Sequence, residues 1–134
     1  MTDKKALFLY IEPSDTAYYI EKKREYALQS RPKLGLMYLA SALRDSRGIR
    51  SEIWDQTTDH YGVDDVIRAA ESGKYLFIGF YSAVSMDKNV IRYIRDVRNG
   101  SSARIPILVG GPSFPNAESF LNAGCDIVCN GEGE

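Results

Sequence analysis

The residues with the chemistry to act on a ligand are few and scattered. Cys125 and Cys129 are the two thiols and His60 is the single imidazole. Neither a His-rich metal site nor a His-driven catalytic triad has the parts it needs. The stretch Cys125-Asp126-Ile127-Val128-Cys129 has a metal-like spacing. On an extended strand rising about 3.3 Å per residue, however, its two terminal Cα atoms stand roughly 13 Å apart on one face. That is too far for a disulfide or for joint ligation of one metal ion. Both cysteines are read as small buried apolar residues, and His60, in a polar loop ahead of a helix, as a surface residue. No catalytic residue and no metal ligand is expected.

What remains suits holding a ligand rather than transforming it. Gly110-Gly111-Pro112 directly follow the apolar run Ile107-Leu108-Val109. Two glycines at a strand end let a ligand approach the backbone, and they equally let the chain turn. Ser82, with Ala83 after it, ends an earlier apolar run and offers a hydroxyl to the same ligand or to a turn. The segment from Glu12 to about Pro32 carries Tyr18, Tyr19 and Tyr26 among Lys22, Lys23 and Arg24. Such a loop is long for a connection in this kind of fold; it either covers a large planar ligand or forms an extra solvated helical turn.

The elements that must position these groups follow from a repeated switch between strand and helix periodicity. Ala6 to Ile11 is a continuous apolar run, as in a strand buried on both faces. Leu36, Leu39, Ala40 and Leu43 form one helix face, closed by Gly48. Ser51 to Trp54 reads as a short edge strand. Val63, Val66, Ile67 and Ala70 predict a second helix ending at Gly73, and Tyr75 to Phe80 a buried strand. Met86, Val90, Tyr93, Ile94 and Val97 predict a third helix, stopped by Asn99-Gly100. Ile105 to Val109 is a fourth strand, Ala117, Phe120 and Leu121 mark a short fourth helix, and Asp126 to Cys129 a fifth strand. Strands alternating with helices imply an α/β fold, Rossmann-like or flavodoxin-like: a five-stranded parallel sheet of order 2-1-3-4-5 with helices on both faces. Ligands of such sheets bind at the carboxyl ends of the strands. Those ends carry Glu12-Pro13-Ser14, Asp55-Gln56, Tyr81-Ser82, Gly110-Gly111-Pro112 and Gly131-Glu132-Gly133-Glu134. The sequence stops straight after the fifth strand, before the closing helix of this architecture, so residues 1–134 read as one domain of a longer protein.

Composition narrows the classes further. Lys and Arg number 17 against 18 Asp and Glu, a net charge of -1, without the basic excess of a nucleic-acid binder. No apolar run approaches the ~20 residues of a membrane span. Two cysteines form no disulfide framework, as expected of a reducing cytoplasm. The carboxyl edge excludes three familiar sites. A receiver domain would put a phosphoaccepting Asp after the third strand, where Phe80-Tyr81-Ser82 stands. A flavodoxin would use a hydroxyl-rich loop after the first strand, where Ser14-Asp15-Thr16 includes a carboxylate. The Gly-x-Gly-x-x-Gly of a dinucleotide fold is absent.

Four segments together resemble the N-terminal domain of cobalamin-dependent radical S-adenosylmethionine proteins. Arg31-Pro32-Lys33-Leu34-Gly35-Leu36-Met37-Tyr38-Leu39-Ala40 is similar to the Pro-Pro-Leu-Gly-Leu-x-Tyr-Leu-Ala helix start of that family. Ile78-Gly79-Phe80-Tyr81-Ser82 is similar to its third strand end. Val109-Gly110-Gly111-Pro112 and Asn130-Gly131-Glu132-Gly133-Glu134 resemble its Gly-Gly-Pro and Arg-Gly-Glu-Gly-Glu signatures. The order and spacing hold from the first strand to the last residue. The resemblance implies a domain that holds cobalamin ahead of a radical barrel. The barrel would carry Cys-x-x-x-Cys-x-x-Cys for a 4Fe-4S cluster and bind S-adenosylmethionine; Cys125 and Cys129 are not that motif. It implies a cofactor-binding set of Ser82, Ala83, Gly110, Gly111, Pro112, Gly131 and Glu132. Ser82 would hydrogen-bond the nucleotide tail, the glycines would admit it, and the loop after Gly131 would line the opposite wall. Glu132 and Glu134 are read as capping or domain-contact residues. The Asp-x-His-x-x-Gly that supplies a lower cobalt ligand in related mutases is missing, which implies base-off cobalamin without a protein His. The parent would be a radical enzyme, a methyltransferase or related, and this domain alone would not be catalytic. Two other readings stay open: the same fold without cofactor, packing against the barrel or substrate, and a free-standing flavodoxin-like domain that binds a partner.

Overall fold

The computed structural model describes residues 3–12, 34–83, 86–111 and 116–129. The long segment after Glu12, with its tyrosines and basic residues, lies outside them, as do Pro112, Gly131 and Glu132. Five strands form one sheet: β1 (Lys5–Tyr10), β2 (Ser51–Asp55), β3 (Tyr75–Tyr81), β4 (Ile107–Gly110) and β5 (Ile127–Val128). Every pairing is parallel and the order is β2-β1-β3-β4-β5. This is the order that the alternation of periods predicts. The helices are α1 (Leu34–Arg47), α2 (Gln56–Asp59), α3 (Val63–Glu71), α4 (Asp87–Gly100) and α5 (Ala117–Ala123).

Side-chain alternation along the strands divides the apolar residues between two faces. Leu7, Leu9, Ile78, Phe80, Ile107 and Val109 point to one face and share a core with Val66, Val90, Ile94, Val97 and Phe120 of α3, α4 and α5. Ala6 and Phe8 point to the other and pack with Leu36 of α1, flanked by the half-buried Leu39, Ala40 and Leu43. Among the described residues α1 is the helix on that second face, and it sits over the β2–β1 half. Among the described residues no helix covers the β3–β5 half beside it, and the groove lies there.

The structure corrects several local expectations. Residues 56–59, expected as loop, form the short helix α2, because Asp55 caps it by accepting from Thr57 N at 3.0 Å. His60 ends that helix in the left-handed region, φ 53°, and is exposed. β4 starts two residues later than expected: Pro106 has no N–H to give the ladder, although its carbonyl accepts from Ile78 N at 3.0 Å. Leu121 faces outward, 47% exposed, while Phe120 and Ala123 form the buried side of α5. The two cysteines do not share a strand or a face. β5 is only two residues long, so Cys125 lies before it, buried in the α3–α5 core, and Cys129 lies after it, half-buried on the opposite side.

Candidate functional site

A groove of about 690 Å3 runs along the open half of the α1 face. That volume lies within the usual range for small-molecule sites. One wall is α1, contributing Gly35, Leu36, Tyr38, Leu39 and Ala42. The floor is β3 and β4, through Phe77, Gly79, Tyr81, Leu108 and Gly110, with Gly111 and Cys129 at the carboxyl end. A right-handed crossover runs α1 antiparallel to the strands. The first turn of the helix, with Gly35, therefore stands at the carboxyl edge beside Gly110. The residues are predominantly apolar, and Tyr10 stacks on Tyr81 at that end, ring centroids 5.5 Å apart.

The glycines of the groove fall into two kinds. Gly79 is required by the protein, since a Cβ there would stand 3.0 Å from Phe8 Cδ1. Gly111 is required more severely: its φ is 115°, and a Cβ would meet the backbone oxygen of Ser82 at 2.3 Å. Gly110 and Gly35 are different. A Cβ on Gly110 would find only Cys129 Cβ at 3.6 Å, an ordinary contact, and one on Gly35 would find nothing within 4 Å. Packing among the described residues gives no reason for either, although glycine costs a helix about 0.5–1 kcal/mol relative to alanine. Both residues line the groove, so the site fits a ligand whose surface comes close to the backbone of α1 and of β4.

Of the residues expected from sequence to bind a ligand, the described ones meet at the β3–β4 end. Ser82 N donates to Gly110 O at 2.8 Å, and Gly111 abuts Ser82. Ala83 follows, half-buried against the larger core. The Ser82 hydroxyl is fully buried and donates to Asp87 Oδ1 at 2.5 Å. Asp87 Oδ2 in turn accepts from Asn116 Nδ2. Asp87 is itself 5% exposed and sits in the first turn of α4, where the helix dipole favours a carboxylate. Ser82, Asp87 and Asn116 thus tie the ends of β3 and β4 to α4 and α5. The hydroxyl's one proton is committed, which leaves Ser82 only lone pairs for a ligand.

A second polar network, which sequence reasoning missed, fixes the end of β1. Gln56 Oε1 accepts from Glu12 N at 2.8 Å, while Gln56 Nε2 donates to Tyr61 O at 2.8 Å and Tyr93 Oη at 2.7 Å. Asn89 Nδ2 donates to Glu12 O at 2.9 Å. Tyr61 donates its hydroxyl to Tyr10 O at 2.8 Å, and burial holds that phenol far above its ordinary range. An amide at the carboxyl end of a strand was the available signal, and it is a weak one. Burial also pushes the Cys125 thiol up to about 11. Among the described residues no cluster of three or more His, Cys, Asp or Glu side chains is placed to hold a metal ion. Among them, too, no helix is long and apolar enough to cross a membrane.

Comparison with known proteins gives one family. The model of the B12 binding domain matches residues 27–134. No curated protein matches the sequence.

Proposed function

The chain belongs to the B12 binding domain family, and from that premise we propose that the groove between α1 and β3–β4 receives the nucleotide tail of cobalamin. The observation that carries this is the pair Gly35 and Gly110, which both line the groove and whose missing Cβ atoms would make no tight contact with any described residue. Apolar side chains of α1 and of β3–β4 suit a flat aromatic base, Gly111 lines the carboxyl end of the groove, and Ser82 and Ala83, with Pro112, Gly131 and Glu132, are further members of the set. Cobalamin, when bound, supplies a cobalt centre able to carry an alkyl group. The residues of this chain hold and orient the cofactor.

Two finer readings go with the proposal. His60 is exposed at the end of α2 and is not part of the groove, which favours base-off cobalamin with no protein imidazole. The four ordered motifs, from Leu34-Gly35-Leu36 to Gly131-Glu132-Gly133-Glu134, support a radical S-adenosylmethionine parent with a 4Fe-4S barrel as the neighbouring domain. A second reading has one observation in its favour: Ser82 and Gly111 are accounted for by the fold alone, as in a domain that keeps the architecture and serves as a structural partner of the barrel.

Titration of the protein with aquocobalamin, followed by visible absorption, tests the proposal. Saturable binding with a base-off spectrum, unchanged in His60→Ala, is expected. A nitrogen-ligated spectrum that disappears in His60→Ala would refute the ligation mode, and absence of saturable binding would leave the structural reading. The parent is tested separately: the reading frame must encode Cys-x-x-x-Cys-x-x-Cys in the same polypeptide.

A further inference from the structure

The two glycines without a packing role are not equivalent. Gly110 ends a strand, where glycine is common. Gly35 is the second residue of a 14-residue helix, where alanine is the better helix former. Its backbone φ is ordinary for any residue, and a Cβ there would meet no described residue within 4 Å beyond its chain neighbours and its own helix. On stability grounds alone alanine is the better residue. Gly35, itself exposed, lines the same groove as Gly110, Tyr81 and Gly111. Leu36 and Leu39 hold the helix to the sheet, so α1 cannot simply move away to make room for an added side chain.

We infer that Gly35 sets the width of the groove and thereby determines whether the cofactor's tail can enter; this inference rests on the cobalamin reading of the site. Its signature is a trade of opposite signs. Gly35→Ala should fold more stably, raising Tm by about 2–4 °C through helix propensity alone. It should nevertheless bind aquocobalamin roughly tenfold more weakly, because one methyl overpacks a fitted wall. Gly35→Leu should bind still less while remaining folded. Gly62→Ala is the control: Gly62 also has nothing within 4 Å, but it precedes α3 and lies outside the groove, so its affinity should match wild type.

Tm by circular dichroism and the dissociation constant by absorption titration are measured on the same preparations. Higher Tm with weaker binding in Gly35→Ala, and unchanged binding in Gly62→Ala, is the expected pattern. Wild-type protein that binds while Gly35→Ala binds equally well overturns the inference and leaves the cobalamin reading intact. A Gly35→Ala variant with lowered Tm overturns it as well, since the space beside the helix would then be needed by the protein. Wild-type protein that takes up no cobalamin overturns both.

Discussion

Substituting Gly111 separates what the fold requires from what a ligand requires. In Gly111→Ala the new Cβ would stand 2.3 Å from Ser82 O, with Ser82 C and N at 3.2 Å. The obstacle is backbone, and Ser82 is fixed by its N–H bond to Gly110 O and by its hydroxyl bond to Asp87. It cannot swing aside as a flexible side-chain tip would. Holding a non-glycine residue at φ 115° costs about 1–3 kcal/mol, and forcing apart two packed strand ends costs a further 1–3 kcal/mol or so. A loss of about 3 kcal/mol lowers the Tm of a domain this size by about 9–15 °C. Urea or thermal melts read this directly. Gly111→Val should be worse, and its expected failure to bind cobalamin would then report unfolding and say nothing of steric exclusion. The informative partner is Gly110→Ala, whose Cβ meets only Cys129 Cβ at 3.6 Å: it should melt within a few degrees of wild type yet bind more weakly. A Gly111→Ala protein that melts with wild type would refute the geometry from which both expectations come.

Three further outcomes follow from the same structure. Asp87→Ala leaves the Ser82 hydroxyl and the Asn116 amide without their acceptor and should cost about 2–4 kcal/mol in urea unfolding; an unchanged midpoint would show that the network contributes nothing. Phe120→Ala empties a fully buried position between α5 and the sheet and should cost about 3–5 kcal/mol, again by urea melt. Stability should fall between about pH 9 and 11: the folded state keeps the Cys125 proton up to about 11, against an ordinary value of 9.0. Over that window the unfolded chain binds fewer protons, so up to roughly 2–3 kcal/mol is lost as pH rises. Cys125→Ala should shrink the drop, and an equal drop in both proteins would refute the assignment.

The sheet was legible because its signals are local and redundant. Apart from the partly polar edge strand β2, the strands are short apolar runs, and each long helix repeats at i, i+3, i+4. The parallel order then follows from handedness and layer packing. Errors arose where a tertiary contact outweighs the local pattern. Leu121 has the spacing of a packing face, yet α5 is too short to bury both Phe120 and Leu121. Cys125 and Cys129 have strand spacing, yet the turn that ends α5 takes up Cys125: its N–H donates to Phe120 O at 3.1 Å and its thiol to Ile127 O at 3.1 Å. Two residues of β5 cannot carry the alternation across that turn.

That Ser82, Gly110 and Gly111 are neighbours was legible in the sequence; what each of them touches was not. Sequence places Ser82, Gly110 and Gly111 at neighbouring strand ends and treats them as one set that meets a ligand. In the fold they divide by what surrounds them. Gly111 is glycine because Ser82 O is 2.3 Å from its missing Cβ, and Ser82 is a hydroxyl residue because Asp87 is buried beside it. Among the described residues Gly110 has no such neighbour, and neither does Gly35. A sequence motif records that a residue type is needed without recording which neighbour needs it. Building the absent Cβ supplies that distinction. The cobalamin reading therefore rests less on the Gly111–Ser82 junction than on the groove between α1 and β3–β4, where the helix start that resembles the family carries Gly35.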